Sequence, residues 1–465
     1  MDGQLLWALA AFVVSLGFVL LTIIKFKMQA FLSLILGALL MGILSGLPFN
    51  LVATEMATGF GNTMGSVGII IVFGVIFGHL LHESGAAEQI AGMILKAAGP
   101  KKVPLAMSLT GYVVSIPVFF DAAFVILVNL AKMISRKGKV PFITVVTALA
   151  TGLIVTHSMT IPTPGPLAVV ANMDLNIPAF LVYSLIVSFP AALVGGVVYG
   201  KWVGKKAQYK DDFANAFEDE FEELEKTAKS DNSPKPAGSL GVALILLPIV
   251  MILAGTVIGT NFLEPGTTAH SVVMFIGDRN VALIVASIVA YIALKKYLKK
   301  SFADIIVGAA NTAGLILIIT GAGGAFGRII NQSAIGTGLS DTLAGMADAT
   351  GVGVILIIIG FVISQALRCA QGSTTVALIT TSAIMGPMLA DMAGVSPILV
   401  GLAICAGGIG LSLPNDSGFW VVNRLSKFSV GDTFRSWTAG GTIVGLTSLI
   451  ILIILGLFAN VLPGL

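Results

Sequence analysis

The chain has 465 residues, of which 56% are hydrophobic and only 11% charged, with a formal net charge of +3 and a mean hydropathy of +0.99. Soluble domains carry about a quarter charged residues, so these values exclude a soluble globule and specify a polytopic helical membrane protein. The positive balance sits in short loops rather than on one face, which points away from nucleic acid, and Cys369 and Cys405 lie far apart in apolar segments that suggest neither a disulfide framework nor a metal site.

The apolar run 5–24 has no basic leader and no small-residue cleavage signal, so it is read as the first span. It ends at Lys25 and Lys27, and basic loops favour the cytoplasm, which leaves the N-terminus outside. Residues 30–47 return outward to a loop carrying Glu55, and 67–81 come back to Lys96, Lys101 and Lys102. Segment 103–133 is too long for one span and too short for two. It holds Pro117 and Asp121, is basic on both flanks, and reads as a re-entrant hairpin opening to the cytoplasm. Residues 142–161 then cross to PTPGP at 162–166, and 179–199 return to Lys201, Lys205 and Lys206.

The one long polar segment, 205–239, holds nine of the 23 acidic residues. Phe213, Phe217, Phe221 and Leu224 fall at helical spacing, predicting an amphipathic surface helix followed by a flexible linker. Either it is a solvated bridge or it docks as a regulatory element. The second half repeats the plan: 240–259 outward, 281–294 back to Lys295, Lys296, Lys299 and Lys300, and 305–326 outward through GAGGAFG. That glycine stretch follows no strand, so close helix packing explains it better than a phosphate loop. A second hairpin, 352–389, is flanked by Asp348 and Asp391 and opens outward; 398–413 and 438–457 complete the set.

Each half thus has three spans, a hairpin and two spans, and because five is odd the second copy is inverted. The predicted fold class is an all-α polytopic membrane protein of two inverted repeats, each with five transmembrane helices plus one re-entrant hairpin, and with broken helices at the midplane. The first repeat is 1–204 (hairpin 103–133), the cytoplasmic acidic linker 205–239, and the second repeat 240–465 (hairpin 352–389). Asp121 precedes Pro162 by the same interval that separates Ser373 from Pro414, and each proline adjoins a polar break, TPGP at 163–166 or NDSG at 415–418.

Ionisable groups at membrane depth are costly and therefore functional candidates. Arg368, inside ALRCAQGSTTVAL at 366–378, would offer a planar donor fork to a substrate carboxylate, or else would pair with Asp121 or Asp416 and only hold the hairpin. Asp121 and Asp416 could carry a coupling proton, since burial disfavours the charged form of a carboxyl group, or could cap helix breaks. His157 suits a proton relay or an ordinary buried hydrogen bond. Thr163, Gly165, Gln371, Ser373, Thr374, Asn415 and Ser417 sit at the breaks, where they suit hydroxyl groups on a ligand or satisfy the interrupted backbone. Na⁺ could be held by oxygens at the same breaks. A channel, and an intramembrane enzyme using His157, Asp416 and Ser417, are the rival classes; four polar breaks favour alternating access.

Six segments resemble the gluconate permease family of the ion-transporter superfamily: PVFFDAAFVIL (117–127), THSMTIPTPGPLA (156–168), TGAGGAFG (320–327), LRCAQGSTTVAL (367–378), LPNDSGFWVV (413–422) and SVGDTFRSWT (429–438). Their order and the total length fit the whole chain. The resemblance implies a bacterial inner-membrane symporter, without cofactor, taking up gluconate, related sugar acids or D-serine with H⁺ as a homodimer with a scaffold and a moving transport domain. One departure is IPTPGP at 161–166 where well-known members read PPHPGP, which leaves room for a smaller or differently hydroxylated acid. The expectation is a secondary active transporter and not an enzyme, with the linker cytoplasmic and both termini outside; Na⁺-coupled carboxylate transport on the same fold is the alternative.

Overall fold

The computed structural model describes residues 3–99, 102–217, 234–333, 349–389, 395–414 and 416–465. Regular structure among them is entirely helical, and eight helices are long and apolar enough to cross a membrane, or nine if one bent pair counts as a span. Two of the ten expected spans, 30–47 and 398–413, hold helices of 15 and 11 residues instead. Both are short of the ~20 residues a bilayer needs.

Helices α1 (Gly3–Ile24), α2 (Ala30–Leu44), α3 (Phe49–Glu83) and α13 (Phe302–Gln332) form one apolar core, which Ala168, Leu367, Ala377, Ile379 and Ile384 from later in the chain also enter. The loop expected around Glu55 is helical: α3 starts at Phe49 and bends by 43° between Gly65 and Gly68. Its run of small residues allows close approach to α13. A Cβ on Gly59 would lie 2.5 Å from the Gly324 carbonyl oxygen, and one on Gly321 2.5 Å from the Phe60 ring, so the glycine stretch does serve helix packing. Glu55 accepts from Arg328 Nε at 2.5 Å and Gln332 Nε2 at 3.3 Å across this contact. A polar residue that looks loop-like in sequence is here matched from across the fold.

An amphipathic helix, α4 (Ala86–Ala98), then buries Ala86, Ala87, Ile90 and Ala91. It leads to a helix–turn–helix pair, α5 (Val103–Val114) and α6 (Phe120–Gly138). Next comes α7 (Phe142–Met159), all 18 residues of which are buried, a break, and α8 (Pro164–Asn172). Helix α5 crosses α7 closely: a Cβ on Gly111 would lie 2.6 Å from the Leu149 carbonyl oxygen. Helix α9 (Ile177–Gly204) contains a π-helical turn, Leu193–Val198.

Residues 205–217 form a strap folded back on α6, α7 and the helices near the C-terminus. The Phe142 N–H donates to the Asp212 carbonyl at 2.8 Å, and Tyr209 donates to the Asp432 carboxylate while accepting from Arg435 Nη1 at 3.0 Å. Phe217 is 2% exposed, with Lys132 and Lys427 ammonium groups 3.9 Å and 4.4 Å from its ring centre. Asn215–Phe217 is a single short turn, and the remainder of the expected amphipathic helix, with Phe221 and Leu224, lies outside the described residues. So do Asp348 and Asp391.

After α10 (Gly238–Phe262), α11 (Thr268–Gly277), α12 (Arg279–Leu294) and α13, the chain forms a second helix–turn–helix pair, α14 (Ala349–Gln371) and α15 (Thr374–Leu389). Gly372 makes that turn at φ +72, a left-handed conformation that glycine adopts without a Cβ clash. A second broken helix follows, α16 (Pro397–Gly407) and α17 (Ser417–Leu425), and then α18 (Val430–Leu457) with a π-helical turn at Phe434–Thr438. A second, larger apolar core joins α5, α6, α7, α9, α16 and α18.

Candidate functional site

The two turns and the second helix break meet at one place. At the α14–α15 turn, Ser373 Oγ accepts from the Val376 N–H at 3.4 Å and so caps α15. Thr374 Oγ1 donates to the Gly408 carbonyl at 2.9 Å, fastening the turn to the point where α16 stops. Beyond that point the backbone is irregular, with Leu411 at φ +43, until Asp416 caps α17 by accepting from the Gly418 N–H at 3.0 Å.

Asp416 is the hub. Arg368 Nη2 lies 2.5 Å from its Oδ2, and the Ser412 hydroxyl donates to the same oxygen. Ser412 Oγ in turn accepts from Trp437 Nε1 at 2.6 Å, and the Ser412 carbonyl accepts from Thr438 Oγ1 at 2.5 Å. Trp437 sits in the π-helical turn of α18 and stacks on Phe120 at 4.4 Å between ring centres. Phe120 opens α6 beside Asp121, so the tip of the first helix pair is joined to the second helix break through one indole ring. π-helical turns recur at functional sites because they redirect a side chain without ending the helix.

These groups surround a cavity of about 160 Å³ whose wall includes Asp121, His157, Arg368, Ser373, Thr374, Thr375, Asp416 and Trp437. Arg368 is 2% exposed, and its Nε and Nη1 find no hydrogen-bond partner among the described residues. His157 packs against the Phe119 ring at 5.6 Å, with Nδ1 likewise unpartnered among them. The cavity therefore presents one guanidinium with two open donors, two carboxylates, an imidazole and several hydroxyls. That set can hold an anion and can exchange protons.

Six of the sequence-selected residues share this wall: Arg368, Ser373, Thr374, Asp121, Asp416 and His157. Thr163 and Gly165 do not line it. The Thr163 hydroxyl donates to the Thr160 carbonyl at 2.5 Å within the α7–α8 break, and Gly165 admits Leu378 of α15, 3.0 Å from where a Cβ would stand. Gln371 closes α14 and Ser417 opens α17, while Asn415 lies outside the described residues. Sequence reasoning missed Ser412, Phe120 and Trp437. The available signal was that all three lie in or beside apolar segments holding Asp121, Asp416 or Arg435. Cys369, half-buried beside Arg368, donates weakly to the Leu411 carbonyl at 3.6 Å, whereas Cys405 is fully buried in α16.

Residues 6–458 match the family model described as GntP family permease. An uncharacterized permease of Haemophilus influenzae is 36% identical over 451 residues, covering 92% of this chain and 89% of that protein. A gluconate permease of Zymomonas mobilis is 32% identical over 453 residues, 96% of each. Among solved structures, the transporter MtrF of Neisseria gonorrhoeae, described as illuminating a class of antimetabolite efflux pumps, superposes with a TM-score of 0.61 at 17% identity, covering 87% of this chain and 83% of that one. At that identity the likeness concerns the fold alone.

Proposed function

Because the chain belongs to the GntP family of permeases, multi-pass membrane transporters rather than enzymes, we propose that it carries a small hydroxylated monocarboxylate of the gluconate type across the bacterial inner membrane, coupled to protons by alternating access. The observation that carries this reading is Arg368: a buried guanidinium with one arm on Asp416 and its Nε and Nη1 open toward a cavity. Buried donors without acceptors are costly, and a carboxylate accepts two of them in one plane. Ser373 and Thr375 stand on the same wall for hydroxyl groups of the substrate.

Charge supports the coupling. Asp121 and Asp416 face one arginine in the cavity, so an incoming carboxylate brings a third negative charge into a poorly hydrated space. A proton on either aspartate restores the balance. Placed on Asp416, it also removes the charge that holds Arg368, freeing the third donor-bearing nitrogen for the substrate. His157 stands where it could pass that proton.

We read the two helix–turn–helix pairs as re-entrant hairpins and the halves 1–204 and 240–465 as inverted repeats. What supports this is the repeated order: a helix pair, a broken helix, then a helix with a π-helical turn. We read the alternating access as an elevator, in which the second helix pair bridges the two apolar cores, with Ala377, Ile379 and Ile384 in one and Leu378 and Leu389 in the other.

The test is uptake of labelled gluconate and D-serine into proteoliposomes under an imposed inward proton gradient without Na⁺, comparing wild type with Arg368→Ala. Accumulation that follows the gradient and vanishes in the variant is expected. Accumulation that needs Na⁺ and ignores the proton gradient would overturn the coupling, and uptake of neither acid would overturn the substrate class.

A further inference from the structure

A second cavity, of about 330 Å³, shares no lining residue with the first and lies where the α3–α4 turn, the returning end of the linker and the turn after α12 come together. Lys235, Lys296 and Lys299 line it, opposite Glu88. The nearby Lys300 is 2.8 Å from Glu83 and so already neutralised. Lys296 and Lys299 form no ion pair among the described residues. Glu88 Oε2 is buried and accepts no hydrogen bond among them.

An apolar track leads to this cavity. Ile288 and Ile292 on α12 are 51% and 60% exposed and stand at i and i+4 on one helix face, which runs toward the 3-10 turn Lys295–Tyr297 that carries Lys296. Tyr297 and Leu298 line the cavity itself, and Tyr291 and Phe302 pack 4.2 Å apart beside it, as aromatic residues do at a membrane–water boundary.

We infer that this cavity binds the headgroup of an anionic phospholipid, its phosphodiester held by Lys296 and Lys299 with Lys235 adding positive charge to the wall, a headgroup hydroxyl donating to Glu88, and an acyl chain lying along Ile292 and Ile288. Basic pockets between helices at the membrane surface recognise lipid headgroups in this way. A soluble phosphate ester would meet the same lysines but leave the apolar track uncovered. A zwitterionic headgroup would bring a cation of its own against three ammonium groups. The site uses no residue of the transport cavity, so it stands independently of the substrate assignment.

The experiment measures lipid retained by the purified full-length protein, by native mass spectrometry, during titration with phosphatidylglycerol, phosphatidylethanolamine of the same chains, and glycerol phosphate. Wild type should prefer phosphatidylglycerol. The double variant Lys296→Gln/Lys299→Gln should bind it roughly thirtyfold more weakly, as expected for two interfacial lysines, while Lys25→Gln/Lys27→Gln, with the same charge change at another loop, should bind as wild type does. Equal binding of the two lipids, glycerol phosphate binding as tightly as phosphatidylglycerol, or an unchanged double variant would each overturn the inference.

Discussion

Arg368 and Asp416, 48 residues apart in the chain, form a 2.5 Å ion pair whose side chains are 2% and 6% exposed. Such a pair holds α14 to the start of α17, and the same arginine carries the proposed substrate contact. The two roles are separable. Arg368→Ala leaves the Asp416 charge buried alone and should cost about 3–5 kcal/mol, together with uptake. Arg368→Met combined with Asp416→Asn removes both charges while leaving an oxygen to cap α17 and to accept from Ser412, and should recover most of the stability without recovering uptake. Thermal unfolding and uptake measured on the same preparations decide the matter. A double variant that still transports would reduce Arg368 to a fastener.

Ser412 is hydrogen-bonded on both sides, which ranks the costs of disturbing it. Trp437→Phe keeps a ring on Phe120 and leaves Ser412 free to donate to Asp416, so the lost hydrogen bond should cost about 1 kcal/mol, with a further cost for the void where the second ring stood. Ser412→Ala takes a donor from a buried carboxylate and leaves the indole N–H without an acceptor, and should cost about 1.5–3 kcal/mol. Melting temperatures in detergent check the order, and the reverse order would mean that the indole acts through packing alone.

Two glycines on α13 should respond oppositely to alanine. A Cβ on Gly324 would meet Thr63 and come within 2.7 Å of the Gly59 carbonyl oxygen, whereas one on Gly314 has nothing within 4 Å. Gly324→Ala should destabilise by about 1–3 kcal/mol through overpacking. Gly314→Ala should be neutral or stabilise by up to about 1 kcal/mol through helix propensity. Thermal scans of the two variants provide the comparison.

Tyr209 in the strap carries a pH dependence. Its phenol is held above the ordinary value of 10.0, first by burial and then by its hydrogen bond to the Asp432 carboxylate, both of which favour the neutral form. A group whose folded pKa is raised contributes stability that is complete below the unfolded value and is lost as pH rises through the folded value. Strap anchoring should therefore hold at pH 9 and weaken above pH 10, and Tyr209→Phe should remove that dependence. Protease sensitivity at residues 205–217 across this range reports it; a strap equally resistant at all alkaline pH values would contradict the role given to Tyr209.

The parts of the site that were legible in the sequence are those where polarity interrupts apolar runs. Gly372 with Ser373 and Thr374, and Asp416 after Pro414, announce breaks because polar residues at membrane depth need an interrupted backbone or a ligand to satisfy them. What was hidden depends on partners far along the chain. Glu55 looked like part of a loop because its ion-pair partner is Arg328, 273 residues away. Phe120 and Trp437 looked like ordinary lipid-soluble residues, since stacking between them is a property of the assembled fold and of the π-helical turn that aims the indole. Thr163 and Gly165 carried the right signal for a break, but the Thr163 hydroxyl is taken up locally by Thr160 and the space at Gly165 is filled by Leu378 from α15.

Helix α7 is buried along its whole length, and its Ser158 donates to the Cys405 carbonyl, 247 residues later, at 2.7 Å. During synthesis, α7 therefore emerges on the order of tens of seconds before α16 exists to cover it. Through that interval Ser158 lacks its acceptor, whereas Thr144, which donates to the Gly200 carbonyl, and Thr147 are already met by α9 of the first half. The cavity between Asp121, His157, Arg368 and Asp416 is thus absent from every nascent intermediate and comes into being only when the last part of the chain, from Arg368 on, closes around a helix that has been waiting for it.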